Sequence, residues 1–473
     1  MATTRLTFNE WTPDKPGVAG NMTDVMNVYP VGSGYAPFPN KVTFGNAASE
    51  TLSSVFAGRT LGTSTLFAAS ASKIYKFDPS TLNFSDVSKV GGYTNAPYDV
   101  VQFGNVLLAS NNAEKIQAWT VGSSTAWADV SATAPIAKYI TVVRDFAVTG
   151  HQSNNTNRVQ WSDINDETSW TSSSTSQADF QDIPDGGDII GLTGGEFGLI
   201  FLQNSIHRMS YVGSPLFFQF DNISRGVGCF ANGSIAQYKQ VSFFLGENGF
   251  YMCDGQNVTA IGAEKVDRWF FNNVDIQSID EMSSQIDPQR KVVIWNFKNV
   301  SAGYYQLMFH WELSRWSYSN INITSIGGAL TAGVTLEQLD NYGTVDSIDV
   351  SFDSRQWSGG KFFIAGTFGS NVVSIDGSNL SASLVTGDLQ LDGLNSVVTL
   401  ARPIIDGGSA NVSVASRVLL NADISFGTSV SADSENRVSL RSAGKYHQIK
   451  VEPSGNWVTA VGVDVDLSGQ GTR

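Results

Sequence analysis

The sequence predicts an all-β chain: a β-propeller of about seven blades (six to eight allowed), an extended N-terminal arm before it, and a C-terminal β-sandwich after it. Three observations predict this. Apolar runs recur at a spacing near 40 residues, turn residues punctuate them, and sustained helical periodicity is nearly absent. Leu66-Phe67-Ala68-Ala69, Val106-Leu107-Leu108-Ala109 and Phe146-Ala147-Val148-Thr149 start 40 residues apart. Each leads through a polar turn to an aromatic strand: Ile74-Tyr75-Lys76-Phe77, Ile116-Gln117-Ala118-Trp119 and Arg158-Val159-Gln160-Trp161. Forty residues hold about four strands of 5–6 residues with their turns, which is one propeller blade. A lone blade leaves both faces bare, so blades must pack around an axis.

Residues 1–40 hold five of the chain's 13 prolines, among Gly17, Gly20, Gly32 and Gly34. That composition favours an extended arm over a strand meander, one that wraps over the body or reaches a neighbouring subunit. Residues 41–380 carry the propeller. The unit continues more loosely at Leu199-Ile200-Phe201-Leu202, Ser242-Phe243-Phe244-Leu245, Val292-Val293-Ile294-Trp295 and Lys361-Phe362-Phe363-Ile364. Continuous apolar runs suit strands covered on both faces. Asn111-Asn112, Asn154-Asn155, Glu247-Asn248-Gly249 and Asp254-Gly255 supply turns. One short helix is expected at 263–272, with Val266, Trp269 and Phe270 on one side. The long last interval points to an inserted loop or extra hairpin over 331–353. A strand from one end of the chain is expected to close the ring, because an open propeller would leave bare edges. From 381 to 473 strand-like runs come closer together, such as Val397-Val398, Val412-Ser413-Val414 and Val463-Asp464-Val465-Asp466-Leu467. This reads as a separate β-sandwich domain.

Lys and Arg total 29 against 43 Asp and Glu, a formal net charge of −14. Nonspecific capture of DNA needs clustered cations, so this balance argues against it. An acidic wall instead lets a polyanion slide past. Cys229 and Cys253 show no metal-ligand spacing and read as buried thiols on neighbouring strands. The N-terminus lacks the apolar stretch of a secretory signal, and no run approaches a membrane span. Asn-x-Ser/Thr sequons are read as chance in an Asn/Ser/Thr-rich chain.

The search for chemistry identifies no catalytic, cofactor-binding or metal residues. His151, His207, His310 and His447 lie in no nucleophile context and are expected in strands or turns. Asp163-Ile164-Asn165-Asp166-Glu167 loosely resembles a calcium loop but lacks its turn glycine. The same segment, extended to Trp161 and Trp170, resembles a sialidase Asp box without its glycine. A glycan-binding or sialidase-like propeller is therefore the alternative reading; it requires an axial pocket of Arg, acids and aromatics.

Three segments in order also resemble a known family: Ser162-Asp163-Ile164-Asn165-Asp166-Glu167, Gly187-Asp188-Ile189-Ile190-Gly191-Leu192 and Leu199 to Ile206. Asn27-Val28-Tyr29-Pro30 and the 437–451 segment complete the match. Together they resemble the packaged-DNA stabilisation, or tail hub (nozzle), proteins of short-tailed bacteriophages. The resemblance implies a structural virion protein, not an enzyme, located in the virion tail after assembly in the host cytoplasm. It implies a homo-oligomeric ring, of six copies, that contacts portal and adaptor proteins and carries tail fibres or spikes. Double-stranded DNA would pass through without sequence-specific binding. The family offers no cofactor and no catalytic residues to carry over.

Overall fold

The computed structural model describes residues 2–469 apart from 18–19, 332, 345, 347, 349 and 392–394. It is an all-β, propeller-like chain of many small antiparallel sheets. Five four-stranded meanders follow one another over residues 52–86, 99–129, 137–182, 189–225 and 236–260. A sixth meander, residues 283–319, opens a nine-stranded sheet. The next set joins Ser325–Ala329, Phe363–Phe368 and Asn371–Ser374 to Val42–Thr43, from near the other end of the chain. The seven apolar runs in the sequence fall on the second strands of the sets, the last of them only from Phe363 on: Thr63–Ser70, Val106–Ser110, Phe146–Gln152, Gly198–Leu202, Val241–Gly246, Val292–Lys298 and Phe363–Phe368. Second strands are flanked on both edges and covered on both faces, so Leu107, Leu108 and Ala109 are all buried.

Side chains on the first strands staple neighbouring sets together. The Arg59 backbone N–H donates to Gln102 Oε1 at 3.0 Å, and the Gln102 amide donates back to the Arg59 carbonyl. Gln237 repeats this two-way clamp on Gly194, and Ser283 Oγ accepts from the Ile326 N–H at 3.0 Å. All three links span 43 residues, close to the spacing near 40 seen in the sequence. Ser284 Oγ donates to the Ile235 carbonyl, the Arg144 N–H donates to Gly195, and Asp99 Oδ2 accepts from the Ile140 N–H at 2.9 Å. The last set meets the first at Gly327, where a Cβ would lie 2.2 Å from the Val55 carbonyl oxygen. Only glycine permits that approach.

The N-terminal segment differs from the expected extended arm. It contains the strands Ala2–Thr7, Asp24–Met26, Val28–Val31 and Gly34–Pro37. Its prolines hid them: Pro30 lies in an edge strand and Pro37 ends its strand, the places where a ladder tolerates a missing N–H. Ala2–Thr7 pairs with Thr459–Gly469, while Asp24–Met26 lies between Arg315–Ser319 and Ser383–Val385.

The C-terminal region does form two facing sheets, but it is not separate. Its strands Ser383–Val385, Tyr446–Ser454, Ser409–Arg417 and Val430–Ser431 extend the nine-stranded sheet. The other sheet combines Ser396–Asp406, Val438–Gly444 and Thr459–Gly469 with the arm. One apolar cluster runs through both, from Val412, Ile449 and Val463 to Trp295 and Trp316 of the sixth meander. The body and the C-terminal module thus share a core. The expected helix is found at Asp267–Asn273. The 331–353 insertion carries the short helix Leu336–Leu339 and the turn Asp340–Tyr342, with no hairpin among its described residues.

Asp99 makes one of the staples a titrating contact. Its carboxyl is enclosed between two meanders, and burial pushes its pKa up to about 6, against two backbone N–H donors that pull it down. The folded state then holds a proton that the unfolded chain, with an ordinary carboxyl, has released. Stability from this group is full below about pH 4 and is lost as pH rises through 6. Asp99→Asn keeps an oxygen for Ile140 without the charge. Urea titrations at pH 4 and pH 7 should show the variant gaining on the wild type by roughly 2–3 kcal/mol at the higher pH.

Candidate functional site

The most heavily built polar region lies where the arm crosses from the body to the C-terminal module. Asn27 sits there buried with φ at 60°, a conformation that asparagine adopts more readily than most residues. Its Nδ2 donates to the Ser381 carbonyl at 2.8 Å; its Oδ1 accepts from Ser319 Oγ at 2.9 Å and from the Asn320 N–H at 3.0 Å. One side chain therefore ties the arm to the end of Arg315–Ser319 and to the stretch just before Ser383–Val385. Arg315 straps the next stretch. Its guanidinium donates to the carbonyls of Phe8 and Asn9, both at 2.8 Å, and to Val31 at 3.2 Å, and it lies over the Tyr35 ring. Trp11 packs edge-on to Trp269 and against Tyr318, whose hydroxyl donates to Asp24 at 2.7 Å. Asp14 accepts the Arg268 and Trp269 backbone N–H groups at the start of helix Asp267–Asn273. A carboxylate there meets the positive end of the peptide dipoles.

Beside this seam is a cavity of about 210 Å³ between the sixth and seventh sets. Phe38 of the arm, Val292 and Ile294, Met308, Ile364 and Ile375 form its apolar floor. Its charged lining is Asp287, Arg290, Asp353, Arg355 and Asp376. Asp287 is buried and paired with Arg290 Nη1 at 2.9 Å, and Arg290 lies over the Tyr29 ring. Arg355 is more loosely held, 3.8 Å from Asp287 and 3.5 Å from the Phe362 carbonyl. Asp376 accepts Ser354 Oγ at 2.8 Å, and burial raises its pKa in spite of the two arginines. Val292 and Ile294 come from a second strand, Met308 from a third and Ile364 from the second strand of the next set, so the space lies between two neighbouring sheets.

The residues singled out in the sequence take structural places. Each histidine lies in a strand. His151 Nδ1 is 2.8 Å from the Ile189 carbonyl, His207 meets Asn222, and the Leu313 N–H donates to His310 Nδ1. His447 is buried between the two C-terminal sheets, with Ser396 Oγ at 2.9 Å from Nε2 and Ser416 Oγ at 2.7 Å from Nδ1. Burial lowers its pKa, which favours the neutral ring. Cys229 and Cys253 are free, buried and packed in one apolar cluster; burial pushes the Cys229 thiol up to about 12. In the Asp163–Glu167 turn the carboxylates accept backbone N–H groups. Asp163 holds Ile164 and Gln177, Asp166 holds Thr168, and the Trp170 indole donates to the Glu167 carbonyl. The segment braces a long connection. Among the described residues no group of three His, Cys, Asp or Glu is placed to hold a metal.

Sequence reasoning missed the cavity, whose charged groups come from three separate stretches of chain. The run Val418-Leu419-Leu420 reads as a strand in the sequence but is a loop after Ser409–Arg417, with side chains 59%, 64% and 45% exposed. Three consecutive exposed aliphatic side chains form an apolar tip on the C-terminal module.

No family model matches the chain, and no curated protein matches it. Among solved structures it is similar to the extracellular domain of a putative hybrid two-component system from B. thetaiotaomicron, at 10% identity and a TM-score of 0.44, covering 79% of this chain and 44% of that one. The chain thus spans less than half the length of that neighbour. The computationally designed Ika8 protein follows at 8% identity and a TM-score of 0.40, covering 71% and 99% of the two chains. The Neurospora crassa Pan2 WD40 domain follows at 7% identity and a TM-score of 0.40, covering 72% and 98%. At these scores the likenesses carry no argument.

The seam makes a direct prediction. Asn27→Ala puts a side chain without hydrogen-bonding groups at positive φ and orphans the Ser381 carbonyl and Asn320 N–H. It should cost about 2–4 kcal/mol in equilibrium unfolding. Asn27→Gly, which relieves the backbone strain only, should cost less.

Proposed function

We propose that this chain is a structural virion protein, a tail hub or nozzle of a short-tailed bacteriophage. It extends the DNA channel below the portal and adaptor, helps retain packaged DNA and docks tail appendages. We read the four-stranded sets as seven blades of one propeller, closed by Val42–Thr43 pairing with Asn371–Ser374. The observation that carries the reading is that body, arm and C-terminal module form one hydrogen-bonded fabric through Asp24–Met26. A channel wall under load from confined DNA needs such continuity more than a hinged enzyme does.

The stretches that resemble the hub family sit in this framework. Asn27 pins the arm, the 162–167 turn is braced by its own carboxylates, and Val438–Gly444 with Tyr446–Ser454 places one strand in each C-terminal sheet. The net charge of −14 favours passage of DNA over capture. On this reading six copies form the ring, and the Val418–Leu420 tip is a contact for a neighbouring subunit or appendage. The test is immunogold labelling of virions from the genome that encodes the chain. A hub is encoded beside portal, adaptor or terminase genes and labels at the tail vertex. Absence from virions, or turnover of a fluorogenic sialoside by the purified protein, would refute it.

A further inference from the structure

The cavity between the sixth and seventh sets has a use that a channel wall does not require. Its lining combines aliphatic and aromatic side chains with both signs of charge, Asp287, Asp353 and Asp376 against Arg290 and Arg355. Those charges are not equally satisfied. Asp287 and Arg290 complete each other: Asp287 also accepts the Gln289 and Arg290 backbone N–H groups, and Arg290 has the Tyr29 face. They are a structural pair. Arg355 has only the two long contacts given above, which leaves most of its five N–H donors unused. Asp376 accepts a side-chain hydrogen bond from the Ser354 hydroxyl and feels the charges of Arg290 and Arg355 without a hydrogen bond to either, although a carboxylate accepts up to about four hydrogen bonds. An under-used cation and an under-used anion thus stand together over an apolar floor.

We infer that this cavity binds a small zwitterion with an apolar tail, of the class of the free aliphatic or aromatic α-amino acids. The carboxylate would take the free N–H groups of Arg355, and the ammonium would take Asp376. The tail would lie on Ile294, Met308 and Ile364. Size selects the class: at about 210 Å³ the space is below the roughly 300–1,000 Å³ of drug-sized sites, yet ample for one amino acid. Charge selects within it. A simple amine would leave Arg355 unanswered, and a simple acid would leave Asp376 unanswered. This inference is independent of the hub reading.

Isothermal titration and thermal unfolding of the full chain test it, with L-leucine and L-phenylalanine as ligands. The comparison set is 4-methylpentanoate, which lacks the ammonium, isopentylamine, which lacks the carboxylate, and glycine, which lacks the tail. The expected result is that at least one of the two amino acids binds and raises the melting temperature. Each comparison compound should bind at least about tenfold more weakly. Arg355→Gln and Asp376→Asn should each weaken binding by at least about tenfold. The comparison series uses the wild-type chain, so it decides even if a variant fails to fold. No binding of either amino acid up to about 10 mM, near the weak limit of a specific site, overturns the assignment. So does binding of the acid, the amine or glycine as tight as that of the amino acids.

Discussion

Every four-stranded meander ends in an outer strand whose free N–H and C=O groups need water or a partner, and in this chain the first 43 residues supply partners at two such edges. Val42–Thr43 completes the set that contains Asn371–Ser374, and Asp24–Met26 continues the sixth meander beyond Arg315–Ser319. The second pairing has the larger consequence. Asp24–Met26 also pairs with Ser383–Val385, so one short arm strand carries the body's sheet into the C-terminal module. The polar seam around Asn27 and Arg315 holds that strand in place, and the shared apolar cluster fills in behind it.

This dependence explains which parts of the molecule were legible in the sequence. The second strands were visible because burial on both faces demands unbroken apolar residues, and the recurrence of Leu66, Val106 and Phe146 follows from it. These N-terminal strands were not visible. Asp24–Met26 has three residues and Val42–Thr43 has two, too few to show alternation, and the surrounding prolines read as extended chain. Their partners lie far along the chain, in Arg315–Ser319, Asn371–Ser374 and Ser383–Val385, where spacing carries no signal. Asn27 could be singled out as part of a motif, but its role rests on a positive φ and on Ser319 and Ser381, which only the fold brings near.

The charged lining of the cavity was illegible for a related reason. Asp287 and Arg290 come from the end of a strand and the turn after it, Arg355 from the irregular stretch before Phe363–Phe368, and Asp376 from just past Asn371–Ser374. Packing of adjacent sets assembles them. The histidines show the reverse: their strand positions could be expected, whereas the hydroxyl partners that hold His447 between two sheets could not. Net acidity, by contrast, needs no fold to be read, and it bears on how the surface meets polyanions more than on how the chain folds.

The central claim is that body and C-terminal module are one cooperative unit joined by Asp24–Met26. Native-state hydrogen exchange read by mass spectrometry tests it most directly. Amides of Arg315–Ser319, Asp24–Met26 and Ser383–Val385 should open together, with a single free energy equal to that of global unfolding. Exchange of Ser383–Val385 and the later strands at a clearly lower free energy, with Arg315–Ser319 still protected, would contradict it.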